Sequence, residues 1–170
     1  MLRNISTYLI LTLIANHALS AQEKTKLTAK VDYSRFLQIS EELSQYRDSR
    51  MIDIETFNSF SKDSNTIILD TRSKKAYDEI HLKGAIHLNF SDFTKKALAE
   101  KIANKNTRIL IYCNNNFESP RASLMNKMTP LALNIPTFIN LYGYGYENIY
   151  ELQDYLTEDD NRVQFEITTD

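Results

Sequence analysis

The sequence predicts an α/β fold, with a central, mostly parallel sheet and helices on both faces. Three observations predict it. From residue 50 onward, short apolar runs of strand length alternate with stretches of helical spacing. Small polar residues stand where those helices would begin. The 170 residues, 42% apolar and 25% charged, suit one globular domain with a short extension rather than two domains or a disordered chain.

Residues 1–21 read as a secretory signal. Arg3 gives a positive start, Ile5 to Ala15 form the apolar stretch, and Ala18 to Ala21 offer small residues for cleavage. Cleavage after Ser20 and after Ala21 both stay open. The stretch is shorter than the roughly 20 apolar residues a spanning helix needs, so no stable membrane insertion is expected once it is removed. A periplasmic or secreted protein follows. Residues 22–49 are a polar leader and a docking helix. Phe36, Ile39, Leu43 and Tyr46 recur on one face, which predicts a helix over Tyr33–Arg47.

The domain proper is expected over residues 50–156. Met51-Ile52 is a short strand, and Asp53 caps a helix through Phe60. Thr66 to Leu69 form a buried strand ending at Asp70, and Ser73 caps a helix carrying Ala76, Tyr77 and Ile80. Ala85 to Leu88 form another strand. Ser91 is expected to cap a helix with Phe93, Ala97, Leu98 and Ile102 on its apolar side. Arg108 to Tyr112 is the most strand-like run, with Cys113 at its end. A helix is expected from about Ser119, with Pro120 in its tolerant first turn. Pro130 and Pro136 then divide the chain into helical pieces that end near Gly143 and Gly145. Asn148 to Leu152 close the sheet, and residues 157–170 read as a C-terminal tail, with an acidic turn before a last short strand or a plain tail.

Composition removes several functions. Lys and Arg total 20 against 22 Asp and Glu, so no basic field exists to hold nucleic acid. One cysteine allows no internal disulfide and no Cys-rich zinc site, and His17, His81 and His87 are too few for an all-histidine cage. Three glycines and no phosphate-binding fingerprint argue against a nucleotide cofactor. No metal and no cofactor are expected.

Cys113 stands where a buried strand meets a loop, the edge at which open α/β sheets bind ligands. Loop amides and a following helix N-terminus would favour its thiolate there and welcome an anion. A small buried core residue is the plainer reading. A lone thiol in an oxidising compartment risks disulfides with other chains, which favours a functional reason for keeping it. Asp70 and Arg72 read as a loop-fixing ion pair, and His81 as a hydrogen-bonding residue holding the next loop.

Four segments, in order, are similar to the rhodanese-like family. They are Ile68-Leu69-Asp70-Thr71-Arg72, His81-Leu82-Lys83-Gly84-Ala85-Ile86-His87-Leu88, Leu110-Ile111-Tyr112-Cys113, and Gly145 to Leu152. The chain resembles that family over residues 50–152. The resemblance implies a sulfurtransferase: Cys113 takes sulfur from a small sulfur-containing anion such as thiosulfate and passes it, as a persulfide, to a thiol or cyanide. It also implies that the backbone N–H groups of Asn114, Asn115, Asn116, Phe117, Glu118 and Ser119 cradle the anion, that Arg121 adds positive charge, and that Asp70, Arg72 and His81 support the site.

The loop departs from the family pattern. It lacks glycine and places Arg121 eight residues after Cys113, further than usual. Asparagine tolerates left-handed backbone angles, so Asn114 to Asn116 could stand in for glycine and turn amides inward. A plain polar surface loop is the other reading. Glu118 near the sulfur would oppose the thiolate unless it points away. A wider loop could admit a bulkier partner, such as a protein persulfide or thiol. A catalytically silent module that binds a partner protein or small anion is therefore the alternative function. Phosphatase or arsenate-reductase chemistry fits less well, because the arginine is too distant to clamp an oxyanion.

Overall fold

The computed structural model describes residues 28–102 and 104–167. The signal read in residues 1–21 and the start of the leader lie outside the described residues. Every element below belongs to one compact unit that begins at Tyr33.

The sheet is built around β5 (Arg108–Tyr112), with β2 (Thr66–Asp70) on one side and β7 (Ile149–Leu152) on the other. β4 (Ala85–His87) extends it beyond β2, and β1 (Met51–Ile52) beyond β7, so the order is β1-β7-β5-β2-β4. All four pairings are parallel. Side chains alternate along a strand, so β5 feeds two cores. Ile109 and Ile111 pack with Leu43 of α1 (Tyr33–Asp48), Leu98 of α4 (Lys95–Lys101), and Phe138 and Leu141 of α5 (Asn134–Gly143). Leu110 and Tyr112 pack on the other face with Ile54 and Phe57 of α2 (Ile54–Phe60) and against Tyr77 of α3 (Lys74–Glu79). Helices therefore cover both faces.

Local chemistry explains where the helices begin and end. Asp53 accepts from Thr56 N at 2.8 Å and Ser73 from Ala76 N at 3.2 Å, so each carboxylate or hydroxyl satisfies an orphan amide. α5 stops because Gly145 takes φ 82°, letting Tyr146 N reach Leu141 O and Gly145 N reach Tyr142 O.

Three expectations need correction. Ser91 does not cap the fourth helix; it sits in a 3-10 turn over Phe90–Asp92, and Thr94 caps α4. No helix starts at Ser119. After β6 (Phe117–Glu118), the chain makes only 3-10 turns over Ala122–Leu124 and Thr129–Leu131 before α5. The domain does not end at 156, because the last short strand that the sequence allowed pairs within it. β8 (Leu156–Thr157) pairs with β6, and β9 (Phe165–Ile167) runs antiparallel to β3 (Ile80–Leu82). Among the described residues, no helix is long and apolar enough to cross a membrane.

Candidate active site

Cys113 prolongs β5 in extended conformation, at φ −148° and ψ −173°. Alternation turns it to the same face as Ile109 and Ile111, the face that α5 covers. Its Sγ accepts a hydrogen bond from Asn115 N at 3.4 Å, and the backbone N–H groups of Leu133 and Asn134 lie near enough to favour its thiolate. Leu133, which supplies no side-chain cap, and Asn134 form the N-terminus of α5. The positive end of a helix thus reaches Cys113, but from twenty residues downstream rather than from Ser119.

Two effects oppose each other at this thiol. Cys113 is 1% exposed, and that burial pushes its pKa up. The three amides pull it down, and the nearby Glu151 carboxylate pushes it up again; burial wins, so the resting group is a neutral thiol.

Cys113 lines a cavity of about 540 Å³. Lys75 and Lys127 supply charge to its walls, while Ala76, Ala122, Leu131 and Leu133 supply apolar surface. Ser123 also lines it, is 9% exposed, and its Oγ has no hydrogen-bond partner. A buried hydroxyl without a partner is uncommon, and this one borders an open volume beside the sulfur.

The three asparagines are staples rather than glycine substitutes. Among the described residues, no non-glycine has positive φ, which removes the left-handed role expected of them. Asn114 Nδ2 donates to Ser123 O and Met125 O at 3.0 and 3.1 Å. Asn115 Nδ2 donates to Lys127 O, and its Oδ1 accepts from Lys127 N. Asn116 Oδ1 accepts from Cys113 N at 2.9 Å and from Asn134 Nδ2 at 3.1 Å, while its own Nδ2 donates to Leu152 O and Asp154 O. Short amide side chains thus bond the backbone of the long insert between β6 and α5, residues 119–133, and fix its path over the cavity.

The other loop residues do not meet the sulfur. Phe117 is fully buried, with its ring edge-on to Tyr112 and Phe165. Glu118 is exposed on β6 and does not line the cavity, so it is not the carboxylate that opposes the thiolate; Glu151 is. Ser119 Oγ donates to Glu158, and Arg121 Nε donates to the same carboxylate at 2.6 Å, so Arg121 is committed away from the cavity.

Asp70 and Arg72 form a buried pair, with Arg72 Nη2 at 2.6 Å from Asp70 Oδ2. Arg72 also donates to Ile80 O and Ser123 O, and Tyr112 OH donates to Asp70. Arg72 therefore borders the cavity while most of its donors are spent on protein. His81 lies outside the cavity: its Nδ1 is 2.7 Å from Tyr77 O, and its Nε2 is 3.3 Å from Glu166. Among the described residues, no group of three His, Cys, Asp or Glu is placed to hold a metal ion.

Sequence reasoning missed Ser123, Lys75, Lys127, Glu151 and the amides of Leu133 and Asn134. The one legible hint was Pro136, a residue that costs nothing in a first helical turn.

Among curated proteins, none matches the chain. Solved structures similar to it include protein BH2092 of Bacillus halodurans, 18% identical, covering 70% of this chain and 73% of its own, with TM-score 0.45. The Alr3790 protein of Anabaena sp is 18% identical over 70% of this chain and 94% of its own, with TM-score 0.44. Protein hp1203 of Helicobacter pylori is 20% identical over 71% and 92%, with TM-score 0.45. The sequence pattern described as "Rhodanese-like domain" matches residues 53–154, well over half of the chain. That span runs from the cap of α2 to just past β7 and includes Asp70, Arg72 and Cys113, and the chain belongs to the rhodanese-like domain family.

Proposed function

We propose that the protein is a sulfurtransferase in which Cys113 carries sulfur as a persulfide. The observation that supports this most is the gathering of three backbone N–H groups about one sulfur, that of Asn115 hydrogen-bonded to it, at the wall of a cavity. Such donors are already oriented when negative charge arrives, so little reorganisation opposes the reaction. Once deprotonated, Sγ attacks the outer sulfur of thiosulfate or of an organic persulfide R–S–SH. The Sγ–S bond forms, the donor's S–S bond breaks, and the electron pair leaves on sulfite or on the thiolate RS⁻. An acceptor thiolate then attacks the terminal sulfur, and Sγ departs as thiolate.

The cavity is several times larger than thiosulfate needs, and Ala76, Ala122, Leu131 and Leu133 give it an apolar side. This supports a bulkier organic persulfide or thiol, including one borne by a protein. Exposed Met125, Met128 and Leu131 on the insert favour a partner with apolar surface. The signal read in residues 1–21 supports an exported, periplasmic or secreted site of action.

The test is transfer of sulfur from thiosulfate and from a small organic persulfide to cyanide or a thiol. Transfer is expected with the wild type and is lost in Cys113→Ser. No transfer with either donor would overturn the reading. A second reading, a silent module that binds a partner protein or small anion, is favoured by the burial and raised pKa of Cys113. It predicts binding that Cys113→Ser leaves unchanged and a thiol that accepts no sulfur.

A further inference from the structure

We propose that Arg47, on α1, is a positioning residue for the sulfur site: through Glu151, the N-terminal helix sets how much of a buried carboxylate's charge Cys113 feels. The inference rests on Cys113 being the working thiol.

The geometry begins at β7. Glu151 is 3% exposed and lies beside Ile111 in the sheet register, two residues before Cys113. Its neighbours Tyr150 and Leu152 pack with the opposite core, so its own side chain faces α1 and α5. Arg47 meets it there as a fork, with Nε at 2.8 Å from Oε2 and Nη2 at 2.6 Å from Oε1. Asn134, at the start of α5, lies near the same carboxylate and favours its charged form. Asn134 also donates to Asn116 Oδ1, which accepts from Cys113 N, and Asn134's own N–H faces Sγ. One polar chain therefore runs from Arg47 through Glu151 and Asn134 to both ends of the sulfur cradle.

The charges around the sulfur make the pair consequential. Glu151 comes from β7, Arg72 from the end of β2, Lys75 and Glu79 from α3, and Lys127 from the insert. α5 carries no charged residue. Arg72 is already paired with Asp70. Burial pushes the Glu151 carboxyl up, and Arg47 and Asn134 pull it back. In the alkaline range where the thiol titrates, removing Arg47 exposes Cys113 to an uncompensated carboxylate, whereas removing the charge of Glu151 leaves an uncompensated guanidinium. The two changes break the same ion pair yet shift the thiol in opposite directions.

Cys113 is the only cysteine, so the alkylation rate of the purified protein against pH reports its titration directly. Glu151→Gln is expected to lower the thiol pKa and Arg47→Met to raise it. At neutral pH the alkylation rate should change about tenfold for every pH unit by which the midpoint moves. Arg47→Lys restores the charge without the fork and is expected near wild type. Circular dichroism verifies folding. If both variants move the thiol the same way, as simple loosening of α1 would, the proposal is overturned. Should Arg47→Met fail to fold, Glu151→Gln decides, and an unchanged or raised thiol pKa overturns it. Opposite shifts in a protein that transfers no sulfur would uphold this tuning and remove the sulfurtransferase reading instead.

Discussion

Two buried ion pairs flank Cys113, one on each side of β5, and they are built differently. Asp70 and Arg72 are two residues apart at the end of β2, with both side chains almost wholly excluded from solvent. Tyr112, Ile80 and Ser123 take up further donors and acceptors of the pair. Arg47 and Glu151 are 104 residues apart, and Arg47 keeps a quarter of its side chain exposed. The first pair is a latch that ties strand ends and insert together. The second is a charge placed beside the sulfur and only partly neutralised. Burial raises the cost of breaking a pair, while partial exposure leaves its charge adjustable.

Breaking the latch should have the largest effect. Asp70→Asn strands Arg72 in the interior and is expected to cost about 3–5 kcal/mol in denaturant unfolding. A loss no larger than that of Glu151→Gln would abolish the contrast. Asn116→Ala removes the staple between Cys113 N, Asn134 and the end of β7, and about 1–3 kcal/mol should follow, together with slower sulfur transfer. Glu151→Gln keeps the shape and lets Arg47 rehydrate, so about 1 kcal/mol is expected, alongside faster alkylation of Cys113 at neutral pH. Ser123→Ala is the smallest in stability, within about 0.5 kcal/mol, because its hydroxyl has no partner to lose. Its KM for a sulfur donor should nevertheless rise; an unchanged KM would separate Ser123 from the substrate.

The pH profile sharpens the same comparison. A thiol held above its ordinary pKa is protonated at neutral pH, so its reactivity should climb about tenfold per pH unit until the raised value is reached. A plateau beginning near neutrality would contradict the dominance of burial.

The two pairs also show how far the sequence could be read. Asp70 and Arg72 were legible because a strand end and a two-residue spacing are local, and so were β5 and the caps Asp53 and Ser73. Arg47–Glu151 was not, since nothing local links a helix before the domain to its closing strand. The loop misled for a related reason. Asn114 to Asn116 suggest unusual backbone angles, yet their side chains bond partners as distant as Met125, Lys127 and Leu152, which no spacing reveals. Arg121 looked like the site's cation until the fold brought Glu158 to it. Of the amides at the sulfur, that of Asn115 lies in the loop the sequence pointed to, whereas those of Leu133 and Asn134 lie beyond an insert whose length hid the correspondence.

The central claim is that the sulfur of Cys113 accepts another sulfur. Intact-mass measurement after treatment with thiosulfate, and separately with a small organic persulfide, tests it most directly. The expected result is the added mass of one sulfur, mapped to the peptide containing Cys113, removed by an acceptor thiol and absent from Cys113→Ser. An unmodified chain with every donor, at a pH where the thiol alkylates readily, would contradict it.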